Sequence, residues 1–151
     1  MLSAVGEVKI GDFGVSRKMN PLEKCYEQCG TPAYIAPELL SADGYSGFKA
    51  DMWSAGCLLY AMLVGSVPFK AGTVEELHAL IQSAKYDFKF QSGSKKHNGS
   101  VANKFSESVR DLIGRLLTVD PSKRLSAKEA LEHPWLKDAA TYIADLFTEK
   151  E

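Results

Sequence analysis

The chain has 151 residues, enough for one compact domain with a real core. With 45% hydrophobic and 25% charged residues it has an ordinary globular composition, and a net charge of −1 removes any electrostatic argument for a nucleic-acid or anionic-membrane partner. No apolar run is long enough to span a bilayer, and the opening MLSAVGEVKI lacks the basic flank and long apolar stretch of a secretory leader, so a cytosolic or nuclear location is expected.

Residues 1–11 alternate loosely through Leu2, Val5, Val8 and Ile10 around Gly6, which predicts two short strands and a turn. Residues 12–35 carry Gly, Pro, Asn and Cys without a sustained period and read as a long loop, a length that in a compact domain goes with function. Residues 50–64, ADMWSAGCLLYAMLV, are apolar on nearly every face, and Gly65 follows as a stop, so this helix is expected to be buried all round. Thr73 and Glu76 form a capping-box pattern that opens a helix with Leu77, Leu80 and Ile81 on one side. The polar stretch 91–104, QSGSKKHNGSVANK, reads as an exposed loop. Residues 106–118 then place Val109, Leu112, Ile113, Leu116 and Leu117 on one stripe. Ser126 and Glu129 form a second capping box, whose short helix stops near His133-Pro134. Asp138 is placed to cap a last amphipathic helix bearing Tyr142, Ile143, Leu146 and Phe147. The fold class expected is mainly α with a small N-terminal β element.

Three cysteines, Cys25, Cys29 and Cys57, fit free thiols in a reducing compartment. Cys25 and Cys29 have the spacing of half a zinc site, but no second pair follows; a redox role for the loop residue Cys29 is the other alternative.

Several stretches occur in an order that carries more information than any of them alone. They are Asp12-Phe13-Gly14, GTPAYIAPE at 30–38, Asp51-Met52-Trp53-Ser54-Ala55-Gly56, Asp120-Pro121 with Arg124, and His133-Pro134-Trp135. Together they resemble the C-terminal lobe of a eukaryotic protein kinase over residues 1–136, with 137–151 left as a helical tail. The simpler readings are a turn aspartate at Asp12, an ordinary helix start at Ala36-Pro37-Glu38, and core positions at Asp51 and Trp53. If Asp51 is buried, it needs a hydrogen-bond partner.

The resemblance implies a role for each motif. Asp12 would supply a hard carboxylate oxygen to magnesium, Phe13 would pack into the core and set its direction, and Gly14 would let the turn switch. Residues 15–29 would be the activation loop. The usual phospho-acceptor, three residues before the Gly of Gly-Thr-Pro, is replaced by Glu27. A carboxylate carries about −1 against −1.5 to −2 for a phosphate, so partial ordering without phosphorylation is expected; sequence drift is the alternative. Tyr26, Ser16 and Thr31 are further candidate phosphosites. Gly30, Thr31, Pro32, Ala33 and Tyr34 resemble the loop that cradles the substrate residue after the phosphorylated one, and Thr31 points to Ser/Thr kinases. Glu38 and Arg124 would be the family's buried ion pair, and Asp51 would accept hydrogen bonds from the catalytic-loop backbone.

The wording of 30–38 with Gly65, Pro68 and Phe69 resembles the calcium/calmodulin-dependent kinase group. Ala61 stands where the cyclic-AMP-dependent group has an acidic reader of basic substrates, so the resemblance implies no strong demand for Arg two positions before the target. Residues 137–151 are short and acidic at their end, unlike a calmodulin-binding helix.

Residues 1–151 contain no GxGxxG and no His-Arg-Asp. The resemblance therefore places Met1 a few residues past the family's catalytic loop, and the chain alone is expected not to be a competent kinase. ATP and magnesium belong to the full-length family, and neither is expected to bind tightly here. Three origins stay open: a piece of a longer Ser/Thr kinase acting on protein substrates, half of a split enzyme, or a helical interaction module with an exposed partner surface. The helix at 50–64 would then leave apolar surface uncovered, and a marginal or sticky chain is expected.

Overall fold

The computed structural model describes residues 8–88 and 105–137. The expected strand residues 1–7, the whole polar stretch 91–104 with residues 89 and 90, and the helix expected after Asp138 lie outside the described residues.

Among the described residues four helices carry the architecture, α1 (Gly47–Val64), α2 (Val74–Ser83), α3 (Glu107–Leu116) and α4 (Ala127–Leu131), and residues 134–137 are helical as well. Two 3-10 turns, Pro32–Tyr34 and Pro37–Leu40, precede them. Residues 9–11 form no strand, so the N-terminal β element is not found among the described residues. Val8 alone stands in a bridge position there, and an antiparallel bridge joins Cys25 and Tyr45, with N–H···O distances of 2.8 and 2.9 Å.

Helix α1 begins three residues before the apolar run, after Ser46, and ends where Gly65 takes φ +82°. That left-handed conformation is cheap for glycine, so the stop is written in the residue itself. One face of α1 buries Trp53, Cys57, Tyr60 and Val64. Gly56 lies on this face, and a Cβ there would meet Leu116 Cβ at 2.8 Å and Leu117 Cδ2 at 3.0 Å. Only a hydrogen at this position lets α1 and α3 approach so closely.

The expectation of all-round burial for this helix is corrected. Leu58 is 51% and Met62 68% exposed, and Phe48, Asp51, Ala55, Leu58 and Met62 lie three or four residues apart on one open face. The described residues supply cover for one side of α1 and none for this one.

The other helices follow their caps. Ser106 Oγ accepts the Val109 N–H at 3.3 Å, and the α3 stripe Val109, Leu112, Ile113 and Leu116 is buried. At α4 both legs of the capping box form: Ser126 Oγ accepts the Glu129 N–H at 3.3 Å, and Glu129 accepts the Ser126 N–H at 2.7 Å. At α2 the box is half formed, because Thr73 Oγ1 accepts the Glu76 N–H at 3.2 Å while Glu76 turns to the Gly72 N–H at 3.3 Å.

The core joins α1, α2 and α3 through Trp53, stacked on Phe69 at 5.4 Å, and an aromatic group of Tyr60, Tyr86 and Phe88. A smaller cluster of Leu112, Leu116 and Ala130 seats α4. His133 is buried behind it. Its Nδ1 accepts the Trp135 N–H at 3.3 Å, which leaves Nε2 to donate to Asp111 at 3.0 Å. That hydrogen bond, and then the one from Arg115, hold the Asp111 carboxyl below its usual range.

Candidate functional site

A cavity of about 660 Å³ opens between the loop 12–35 and the N-terminal half of α1. Asp12 and Ser16 reach it from one stretch of the loop, Gly30, Thr31 and Tyr34 from another, and Asp51 and Ser54 from the helix.

Asp12 has φ +63°, a left-handed conformation that costs a non-glycine residue energy. The Gly14 N–H donates to Asp12 Oδ1 at 3.4 Å, and the next turn closes as the Ser16 N–H and hydroxyl donate to the Phe13 carbonyl at 3.0 and 2.7 Å. The result is a short turn that presents one carboxylate to the cavity. Phe13 does not pack into the core: it is 67% exposed. The described core lies behind α1 and α3, and no apolar surface of it extends under this turn.

The loop 30–40 is anchored far more firmly. Gly30 has φ +119°, which favours glycine, and Pro32 presets the 3-10 turn that follows. The Tyr34 N–H closes on Thr31 O at 2.9 Å, and the Ser54 hydroxyl donates to Tyr34 O at 2.9 Å, tying the turn to α1. The second turn carries Glu38. Its carboxylate meets Arg124 in a two-pronged pair, Nη1 to Oε1 at 2.6 Å and Nη2 to Oε2 at 2.8 Å. The remaining Arg124 donors reach the carbonyls of Lys49 (2.7 Å), Thr118 (2.9 Å) and Val119 (3.2 Å). All five N–H groups are thus used by a side chain only 1% exposed, whose guanidinium carbon also lies 5.1 Å from the Trp53 ring centre. Such a buried cation is tolerated because it is paired and fully hydrogen-bonded. Asp120 builds the turn that delivers it: its carboxylate accepts the Ser122 N–H and hydroxyl at 2.9 and 2.6 Å, and its carbonyl accepts the Arg124 N–H at 3.1 Å.

Asp51 is exposed at the head of α1, not buried. The side of the helix it occupies has no cover among the described residues, yet partial desolvation still raises its carboxyl above the usual range. It is an acceptor facing the same cavity as Asp12.

Glu27 is held at both ends. Its carbonyl accepts the Tyr45 hydroxyl at 2.6 Å, and its carboxylate meets Arg17 at 3.4 Å. Arg17 and Tyr45 were not legible as site residues, since pairs across an irregular loop leave no periodic trace. Of the cysteines, Cys29 is exposed, while Cys25 and Cys57 are buried. Burial pushes the Cys57 thiol up to about 12, which makes it an inert core residue.

Asp12 offers one hard oxygen ligand, and among the described residues no group of three or more His, Cys, Asp or Glu side chains could hold a metal ion.

Comparison with known proteins places this geometry. The sequence model described as "Protein kinase domain" matches residues 1–136. Myosin light chain kinase A of Dictyostelium discoideum is 44% identical over 131 residues, 87% of this chain and 41% of that protein. The serine/threonine-protein kinase PEPKR2 of Arabidopsis thaliana is 39% identical over 136 residues, 90% of this chain and 27% of its own length. Calcium-dependent protein kinase 3 of Plasmodium berghei (strain Anka) is 41% identical over 133 residues, 86% of this chain and 22% of its own. The chain spans well under half the length of each of these relatives.

Proposed function

The chain belongs to the protein kinase family, and from that premise we propose that it is the substrate-receiving C-terminal lobe of a Ser/Thr protein kinase, competent only when joined to the elements that grip ATP. The observation that carries this reading is the shared cavity: the Asp12 carboxylate faces it from one side, and the anchored loop Gly30–Tyr34 borders it from another. Transfer of a phosphoryl group is largely a matter of positioning and charge, and these are the two things the cavity offers.

In this reading Asp12 would hold a magnesium ion, which when bound would offset the charge of the nucleotide phosphates. Gly30, Thr31, Pro32, Ala33 and Tyr34 hold the protein substrate beside its target Ser or Thr. Glu38 and Arg124 fix that loop to the helical core. Asp51 awaits backbone N–H donors from a catalytic loop, and the open face of α1 through Phe48, Leu58 and Met62 receives the helices that carry it. Residues 1–151 hold no GxGxxG and no His-Arg-Asp, which supports the reading that ATP is not held tightly by this chain alone. The names of the Dictyostelium and Plasmodium relatives support a place near the calcium/calmodulin-dependent group, and Ala61 supports a substrate choice without a strong need for Arg. Among the described residues no helix is long and apolar enough to cross a membrane.

A chimera tests the proposal. Residues 1–136 replace the matching stretch of the Dictyostelium kinase, and transfer of labelled phosphate from ATP to Ser/Thr peptides is measured. The chimera is expected to be active and its Asp12→Ala variant inactive, with the 151-residue chain inactive by itself. Asp12-dependent transfer by the chain alone, or a folded but inert chimera, overturns it. The open face of α1 also favours a second reading, a non-catalytic interaction module, which an inert chimera would support.

A further inference from the structure

We propose that the activation segment braces itself: Arg17 bridges Glu23 and Glu27 within the loop, holding the approach to Gly30–Tyr34 in place without a phosphate on the segment. This rests on reading residues 12–35 as a kinase activation segment.

The brace is built in sequence order. Asn20-Pro21-Leu22-Glu23 form a turn, with Pro21 presetting the backbone and the Glu23 N–H closing on Asn20 O at 3.0 Å. The Glu23 carboxylate then acts twice. One oxygen accepts the Asn20 N–H at 3.2 Å, and the other takes a close hydrogen bond from Arg17 Nη2. Arg17 Nη1 extends to Glu27 Oε2 at 3.4 Å. Between the two carboxylates, the Cys25–Tyr45 bridge and the Tyr45 hydroxyl on Glu27 O stitch the loop to the segment leading into α1. Three residues after Glu27 the chain enters the Gly30 turn, so the brace orders the segment that leads into a loop anchored independently by Ser54 and Arg124.

A lone exposed ion pair contributes little. Here one guanidinium serves two carboxylates, and one of those carboxylates also closes a turn, so the charges and the backbone depend on the same groups. The division of labour differs from the sequence expectation. Glu27 occupies the phospho-acceptor position, but its contact lies at the long end of hydrogen bonding, and Glu23 is the principal partner. Consistently, Glu23 is the largest cause of the upward shift of the Arg17 guanidinium, and Glu27 a small one.

Hydrogen exchange on the full 151-residue chain, read by mass spectrometry over peptides covering 15–30, tests the brace. Arg17→Ala and Glu23→Gln are each expected to speed exchange at 23–27 by about threefold, and Glu27→Gln by less. The double variant Arg17→Ala with Glu23→Gln is expected to exchange no faster than Arg17→Ala alone, since glutamine keeps an acceptor for the Asn20 N–H and the broken contact is the same, and about 1 M NaCl is expected to mimic Arg17→Ala. Amides of α1 report that the fold is intact. Wild-type exchange in Arg17→Ala, or additive effects in the double variant, overturns the proposal. Failure of the kinase reading appears in the chimera's transfer assay and leaves these exchange rates unchanged, so the two failures are distinguishable.

Discussion

The two turns that border the cavity are held by opposite means. The turn at Glu38 is locked by a buried arginine with every donor used, in contact with three separate segments of the chain. The turn at Asp12 rests on short local bonds, with Phe13 and Val15 exposed beside it. The half that carries the Gly30–Tyr34 loop is self-sufficient, and the half that carries Asp12 is not. Stability and chemistry therefore divide cleanly along the loop, and substitutions can show where.

The largest effect is expected at the lock. Glu38→Ala strands a buried guanidinium and should cost about 3–5 kcal/mol, seen as a lower urea midpoint. Asp12→Ala, measured the same way, should stay within about 0.5 kcal/mol. Equal losses at the two sites would break the contrast. Gly56→Ala comes next: a methyl forced against Leu116 and Leu117 should cost about 1–3 kcal/mol, the size expected for overpacking.

Substitutions on the open face should separate association from stability. Leu58→Glu with Met62→Glu should leave the unfolding midpoint within about 0.5 kcal/mol per site while lowering dye binding and self-association, followed by light scattering. A sharp, reversible, monomeric melt of the unmodified chain would contradict the stickiness expected of that face.

The smallest effect is at Asp111. Its folded carboxyl is lowered, so its contribution is present above the ordinary carboxylate value of 3.8 and is lost as pH falls through the lower folded value. Because Asp111 is half exposed, the loss should be only a few tenths of a kcal/mol. Acid unfolding of Asp111→Asn against the parent, below about pH 4, would show it.

Much of this was legible in the sequence. The α3 stripe, the Ser126 box and the Gly65 stop follow from periodicity and capping chemistry, which act over three or four residues. Composition alone marked the helix at 50–64 as apolar on nearly every face, because it records how apolar a face is and not what lies against it; only the resemblance, through the helices that stretch would pack on, pointed to an uncovered side. Phe13 was misplaced for the same reason: its expected burial depended on surfaces the described residues do not supply, and the core position that was the simpler reading of Asp51 fails likewise. Glu23 left no signal at all. Its importance comes from the Pro21 turn, which folds it back onto Arg17.

The flat guanidinium of Arg124 gathers acceptors from Glu38, Lys49 and the pair Thr118 and Val119, and a plane tolerates little misalignment among them. Lysine at this position would keep the positive charge but offer three donors from a single point, so it could not satisfy the same set. Adding or removing one residue between Thr118 and Arg124 would swing the fork away from all its targets together, so the spacing of that short stretch should admit no change of length, whatever its other side chains become.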